Sequence, residues 1–102
     1  MTLLGGDVAD RAGRRNKPLA AWLRNWANIV EEANWQSIDD LRADYPSADG
    51  IALPSGTIVT VFNVKGNQCR LLTWIRYDAQ IVEILEVLTH AAYNKNLWKQ
   101  RY

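Results

Sequence analysis

Two short stretches of this chain carry side chains that could act together on a phosphodiester. The first, residues 61–71, is typical of a strand, a tight turn and a second strand. The second, residues 89–93, contains the only histidine of the chain. If the strands pair, one sheet edge gathers two fixed cations, a group that titrates near neutrality and a phenol: Arg70, Lys65, His90 and Tyr93.

These residue types favour RNA as the substrate, because RNA carries its own nucleophile and its own charge. The 2′-hydroxyl of a ribonucleotide can attack the adjacent phosphate. The enzyme then has to supply a proton acceptor, a proton donor and cations for the pentacovalent phosphorane. The sequence contains no phosphate-binding GxxxxGK, dinucleotide glycine pattern, HExxH or CxxC, so nothing in it indicates a cofactor or a metal.

Each candidate also has an ordinary structural interpretation. Strand arginines can form cross-strand ion pairs, and the carboxylates of Glu83 and Glu86 are the available partners for Arg70 and Arg76. The other candidates could be a histidine that caps a turn, a solvated lysine at a turn tip, and a tyrosine at the core edge: His90, Lys65 and Tyr93.

The first half of the sequence predicts helices. Residues 1–4 read as a short strand ended by two glycines, and residues 7–15 as a short helix. After Pro18, apolar residues at i, i+3, i+4 and i+7 predict an amphipathic helix that buries Trp22 and Trp26. A further element begins at Ser37, with Asp40 as a weak capping box, and stops before Pro46. Residues 46–56 are predicted to be a loop.

The second half predicts an antiparallel meander. Runs rich in β-branched and aromatic residues span 57–64, 68–77 and 81–88, with a hairpin signal at Lys65-Gly66-Asn67. The tail after His90 is expected to be a short helix or an ordered cap. Helices followed by strands predict an α+β domain with helices on one face of the sheet, and the length of 102 residues suits one domain, 1–102.

Strand alternation assigns the side chains to faces. Arg70, Trp74 and Arg76 share one face, opposite the face that receives the tryptophan-bearing helix. Trp74 and Trp98 are both open to core or base-stacking roles. The residues expected to bind RNA or the ribosome are Arg76, Trp74, Lys95, Lys99 and Arg101.

The charge is unevenly distributed although its total is only +1. Residues 1–30 and 63–102 are basic, whereas residues 31–49 hold six carboxylates against Arg42 alone. Basic ends could face a polyanion; chance clustering on a solvated surface is the alternative. No apolar run approaches the roughly 18 residues of a membrane span, and a single cysteine excludes an internal disulfide, so we expect a cytoplasmic protein.

The motifs together resemble the HigB toxins, ribosome-dependent mRNA interferases of the RelE superfamily. The resemblance rests on Trp22-x-x-x-Trp26, the stretch 40–49, the FN-x-x-GN-x-x-RL pattern of residues 62–71 and the TH-x-x-Y pattern of residues 89–93. It runs from about Leu3 to Trp98. It implies a RelE-like fold, with two N-terminal helices packed on a twisted antiparallel sheet of three to four strands.

The resemblance also implies function. It implies metal-independent mRNA cleavage in the A site of the 70S ribosome, and neutralisation by a HigA-type helix-turn-helix antitoxin. Arg70 matches the strand arginine that contacts the scissile phosphate, and His90 and Tyr93 match positions used for proton transfer and base stacking. Relatives often have glycine at the position of Lys65, and the paired lysines of some RelE members are Val61 and Asn63 here. His90 is therefore the candidate acid or base, with Asn63 orienting.

Two functional hypotheses follow from the sequence. The first is an endoribonuclease that acts on ribosome-bound mRNA. The second is a non-catalytic RNA- or protein-binding member of the same fold. A small-molecule phosphohydrolase is disfavoured, since metal-binding carboxylates do not occur at helical or turn spacing.

Overall fold

The computed structural model describes residues 1–64, 66 and 68–102. The helices and strands follow one another in this order: β1 (Thr2–Leu4), α1 (Gly6–Gly13), α2 (Lys17–Glu32), α3 (Ile38–Asp44), β2 (Asp49–Ala52), β3 (Ile58–Val64), β4 (Cys69–Arg76), β5 (Ile81–Thr89) and α4 (His90–Asn94). A 3₁₀ turn, Leu97–Gln100, follows α4. Within the described ranges, no helix is long and apolar enough to cross a membrane.

The α+β class is confirmed, but the sheet and helix counts were wrong in detail. Five strands are arranged in the order β1-β5-β4-β3-β2, and β1 runs parallel to β5, so the sheet is mixed. Three helices rather than two precede the β3–β5 meander. The predicted loop of residues 46–56 contains β2, an edge strand that pairs antiparallel with β3. Its four residues are too few for alternation to stand out among the surrounding Ser, Pro and Gly.

Helix α2 forms for the reasons visible in its sequence. The Asn16 side chain caps it by accepting a hydrogen bond from the Leu19 backbone N–H at 3.1 Å, and Pro18 occupies its first turn. The helix buries one stripe against the sheet, consisting of Leu19, Leu23, Trp26 and Val30. The proposed capping box of α3 is wrong in its details: Ser37 makes no cap bond, and Asp40 accepts from the Gln36 N–H at 2.9 Å.

The first core lies between the helices and one face of the sheet, called here the helix face. Trp26 packs edge-on against Phe62 with ring centroids 5.4 Å apart, and Tyr45 packs edge-on against the same ring at 5.3 Å. The sheet contributes further buried side chains from its central strands: Phe62, Val64, Leu71, Val82 and Ile84.

The second core lies on the opposite face, called here the C-terminal face. Its buried members are Leu53, Val59, Val61, Leu72 and Trp98. The chain after β5 covers them, with Tyr93 and Tyr102 packed alongside. Trp98 has no exposed surface, so the suggestion that it could stack a base is wrong. Its burial explains why the tail is ordered.

A bulge in β5 adjusts which side chains reach each face. Leu72 pairs with Glu86 but Thr73 pairs with Ile84, which leaves Leu85 as an extra residue. Leu85 therefore packs into the second core, while Ile84 packs into the first. Glu86 Oε1 then accepts hydrogen bonds from three donors in the tail: Arg101 Nε at 2.8 Å, Arg101 Nη2 at 2.6 Å and the Tyr102 hydroxyl at 2.7 Å. These bonds fasten the tail across the C-terminal face.

Strands β3 and β4 pair antiparallel, as the predicted hairpin requires. Asn63 pairs with Arg70, and Val64 pairs with Cys69. Gly66 lies in the left-handed region with φ 59°, as a tight turn requires. Lys65 and Asn67 lie outside the described residues.

Candidate active site

The two stretches singled out in the sequence meet at one end of the sheet. Across three strands, Asn63 pairs with Arg70, and Arg70 pairs with Leu88. One row further along, Cys69 pairs with Thr89, and the His90 backbone N–H donates to the Gln68 carbonyl at 3.0 Å. The arginine and the histidine are thus neighbours in the fold although twenty residues separate them in the chain.

Arg70 lies on the C-terminal face, as strand alternation predicts. It is only 9% exposed, and its guanidinium carbon lies 5.5 Å from the centroid of the Tyr93 ring. Its Nη1 donates to the carbonyl of Cys69 at 3.2 Å. An arginine stays charged when buried, so the site holds a fixed positive charge with restricted access to water.

Tyr93 is held between Arg70 and the tail. Its ring stacks on Trp98, with centroids 5.4 Å apart and planes inclined by 16°, and Trp98 Nε1 donates to the Tyr93 carbonyl at 3.2 Å. Burial raises the pKa of the Tyr93 phenol, the charge of Arg70 lowers it, and the charge of Asp49 raises it. The net effect is a raised pKa, and a tyrosine phenol, which is protonated at neutral pH, can donate a hydrogen bond to an anion.

His90 is exposed and begins helix α4 directly after β5. The Thr89 hydroxyl caps this helix by accepting from the Ala92 N–H at 3.1 Å, which fixes where the strand ends and the histidine begins. Asn94, one helical turn later, places its side-chain nitrogen 3.0 Å from His90 Nε2. When that amide donates, Nε2 accepts and the ring proton is on Nδ1. The sequence reasoning missed Asn94, although the i, i+4 spacing on a helix was a readable signal.

Asn63 and Lys65 are the two remaining catalytic candidates. Asn63 is half-buried and lies directly across from Arg70. Lys65 lies outside the described residues, so its role stays a prediction.

Trp74 and Arg76 are not part of this end of the sheet. Arg76 pairs with Ile81 where Arg70 pairs with Leu88, which puts the two arginines about 20 Å apart along β4. Trp74 is 39% exposed, with the Arg76 guanidinium 6.0 Å from its ring. Arg76 forms an ion pair with Asp78 at 3.3 Å, so the cross-strand pair considered for it is wrong. Glu86 is occupied by the tail instead.

The basic residues of the tail are on the chain segment that covers the C-terminal face. Lys99 places its amine 5.8 Å from the Trp98 ring, and Lys95 is exposed at the end of α4. Arg101 forms its ion pair with Glu86. Two of these three cations are therefore engaged within the protein, while Lys95 faces solvent.

Asp49 is a candidate site residue that the sequence analysis did not single out. It begins β2 and pairs with Val61, whose side chain is in the core of the C-terminal face. Its Oδ1 accepts from Arg42 Nη2 at 3.1 Å, while Arg42 Nε donates to the Ala48 carbonyl at 2.9 Å. The signal was present, since Asp49 closes the 40–49 stretch on which the resemblance partly rests. Because residues 46–56 were predicted to be a loop, the Asp49 side chain could not be assigned to a face of the sheet.

Within the described part of the chain, no three His, Cys, Asp or Glu side chains come together as metal ligands. Residues 19–96 match the model of a protein family described as HigB toxin, the RelE-like toxic component of a toxin-antitoxin system. No curated protein sequence matches the chain.

Proposed function

Because the chain belongs to the HigB family of RelE-like toxins, the toxic components of toxin–antitoxin systems, we propose that it is a ribosome-dependent mRNA endoribonuclease. The observation that supports the proposal is that Arg70 lies beside the Tyr93 ring at the end of the sheet where the His90 backbone joins Gln68. Membership of the family implies an antitoxin partner. We propose that this antitoxin is a HigA-type helix-turn-helix protein and that the toxin acts in the cytoplasm.

In the proposed reaction the 2′-hydroxyl of one nucleotide attacks the phosphate that follows it. The O2′–P bond forms, the P–O5′ bond breaks, and the products are a 2′,3′-cyclic phosphate and a 5′-hydroxyl. Negative charge grows on the non-bridging oxygens as the phosphorane forms. A buried guanidinium beside that position stabilises the transition state more than the ground state, which is the role proposed for Arg70.

Proton transfer is assigned to the exposed histidine. His90 is exposed to solvent, and a protonated imidazole can give its proton to the departing 5′-oxygen. Tyr93 holds its proton and donates a hydrogen bond to the phosphate, while Asn63 orients the nucleotide from the neighbouring strand. Lys65, just beyond β3, would add a further positive charge.

Binding to the ribosome is assigned to cations outside this cluster. Lys95 and Lys99 flank the site on the C-terminal face, and Arg101, Arg76 and Trp74 extend the same face toward the other end of the sheet. Contacts of this kind release counterions from RNA, so binding should weaken steeply as salt is raised.

The test uses purified ribosomes programmed with an mRNA, and maps cleavage by primer extension. The wild-type protein is expected to cleave within the message. Arg70→Met and His90→Gln are expected to lower the rate about 10²–10³-fold, because each removes a charge or a proton carrier from the transition state. Arg11→Ala is the matched control, since Arg11 is an exposed helix residue that pairs only locally with Asp7.

A 2′-deoxy nucleotide at the mapped cleavage position gives a second readout. It should abolish cleavage there, because it removes the nucleophile and leaves the binding surface nearly intact. Wild-type protein that binds programmed ribosomes without cutting the message would support the non-catalytic alternative. Cleavage at the deoxy position would exclude attack by the 2′-hydroxyl.

A further inference from the structure

The cluster described so far has a cation, a proton donor and a phenol, but no clear proton acceptor for the 2′-hydroxyl. An unused carboxylate lies on the same face. Asp49 opens β2 at the sheet edge and pairs with Val61, so its Cβ is on the C-terminal face, while its carboxylate lies at the edge strand, where it binds Arg42 of α3. Ile51, two residues on, packs into the same core, which confirms the alternation.

The register places this carboxylate next to the catalytic candidates. Asp49 is the diagonal neighbour of Asn63, about 7–8 Å away between Cα atoms. Arg70 lies opposite Asn63 on the following strand, so two strand spacings, about 10 Å, separate its strand from that of Asp49. A guanidinium on a long side chain and one ribonucleotide can span that width.

The carboxylate is held in place from outside the sheet. Arg42 of α3 donates to Asp49 Oδ1 at 3.1 Å and to the neighbouring Ala48 carbonyl at 2.9 Å. One arginine thus fixes both the side chain and the backbone at the start of β2. The Asp49 side chain remains 63% exposed, so a substrate can reach it.

We propose that Asp49 is the general base of the reaction, with Arg42 as its positioning residue. The inference rests on the proposed function, because it names the group that accepts the proton in that reaction. Asp49 takes the proton of the 2′-hydroxyl as the O2′–P bond forms. The P–O5′ bond breaks, and the leaving oxygen takes a proton from His90. The protein therefore accepts one proton at Asp49 and donates one from His90.

The electrostatics of the cluster agree with this division of roles. Burial, above all, raises the pKa of Tyr93, and the charge of Asp49 adds to the rise. The charged and titratable groups around Asp49 are Arg42 from α3 and Tyr93 from α4. The arrangement puts the proton acceptor on the edge strand and the proton donor on α4, with the fixed cation of β4 between them.

The test measures single-turnover cleavage of ribosome-bound mRNA as a function of pH for three proteins. Asp49→Asn keeps an oxygen for Arg42 but removes the base, and should lower the rate about 10²–10⁴-fold with ribosome affinity unchanged. The wild-type rate is expected to fall at acidic pH as the general base is protonated, and the residual rate of Asp49→Asn should not show this fall. Asp39→Asn, an exposed carboxylate at the start of α3, is the matched control and should behave as wild type.

A rescue experiment separates a base from a structural carboxylate. Formate added to Asp49→Ala should restore part of the rate and should not change that of Arg70→Met. If the wild-type protein cleaves and the rate of Asp49→Asn lies within threefold of the wild-type rate, the role of Asp49 is overturned and the nuclease proposal still stands. Wild-type protein that fails to cleave would overturn the proposed function itself, and the role of Asp49 with it.

Discussion

The two faces of the sheet differ in what covers them. The helix face is covered by three helices, and its core joins apolar side chains from α2, α3 and the central strands. Among the described residues, the tail and Leu53 of the β2–β3 loop cover the C-terminal face, and its smaller core adjoins Arg70, Asn63 and Asp49. One face therefore supplies most of the apolar burial, and the other carries polar side chains that range from the buried Arg70 to the exposed Asp49.

The alternation of β4 divides these roles between adjacent residues. Leu71 is fully buried on the helix face, while Arg70, its neighbour, lies under Tyr93 on the other face. A strand that carried apolar residues on both faces would be more stable but could not present the guanidinium. The two neighbouring residues of β4 thus separate a core side chain from a side chain of the candidate site.

The largest effect is expected on the helix face. Trp26→Ala removes a side chain that is 1% exposed and contacts Phe62, and should lower the free energy of unfolding by about 3–5 kcal/mol. Urea unfolding of the purified protein measures it. A loss below about 1 kcal/mol would mean that this core contributes less than its burial indicates.

A smaller and more specific effect is expected on the C-terminal face. Trp98→Phe keeps an aromatic ring on Tyr93 but removes the Nε1 hydrogen bond to its carbonyl, which should cost about 1 kcal/mol of stability. Because this bond positions Tyr93, the cleavage rate should fall by more than the small loss of folded protein can explain. Equal activity of variant and wild type, under conditions in which both are folded, would show that the tail does not set the position of Tyr93.

The smallest effect concerns pH. Burial, and then the charge of Asp44, raise the pKa of Tyr45 to about 12. Above pH 10 the unfolded chain loses this proton first, so stability is complete below pH 10 and falls as pH rises toward 12. Tyr45→Phe should reduce this loss of unfolding free energy by about 1 kcal/mol. The value is below the full contribution of the pKa shift because solvent screens a half-buried ring.

The alkaline measurement has an internal comparison. Tyr102 on the C-terminal face also has a pKa raised to about 12, by burial and then by its hydrogen bond to Glu86. The urea midpoints of Tyr45→Phe and Tyr102→Phe, measured at pH 9 and pH 11.5, would show how much of the alkaline loss of stability comes from each of the two tyrosines. No difference between either variant and wild type would contradict both assignments.

Much of the fold could be predicted from patterns that depend on near neighbours. Short segments of sequence are enough to predict the amphipathic helix α2 and the hairpin at Gly66, and both are present in the structure. The strand β2 could not be predicted, because an edge strand of four residues is stabilised mainly by its partner. The parallel pairing of β1 with β5 depends equally on a distant strand.

The candidate site divides in the same way. Arg70, His90 and Tyr93 could be singled out from motif and alternation. Asp49 lies in the 40–49 stretch that contributes to the resemblance, but its face is defined only once β2 is paired with β3. The burial of Trp98 depends on how the tail crosses the sheet, which no local pattern among its lysines and arginines indicates.

One paired measurement tests most directly whether the two faces divide folding and chemistry. Arg70→Met and Leu71→Ala change adjacent residues of β4, and each protein is assayed for its free energy of unfolding and for its rate of mRNA cleavage on the ribosome. Leu71→Ala should lose about 2–5 kcal/mol of stability and, where folded, keep its cleavage rate. Arg70→Met should stay within about 1 kcal/mol of wild type and lose cleavage about 10²–10³-fold. An Arg70→Met protein that cleaves like wild type would contradict the account.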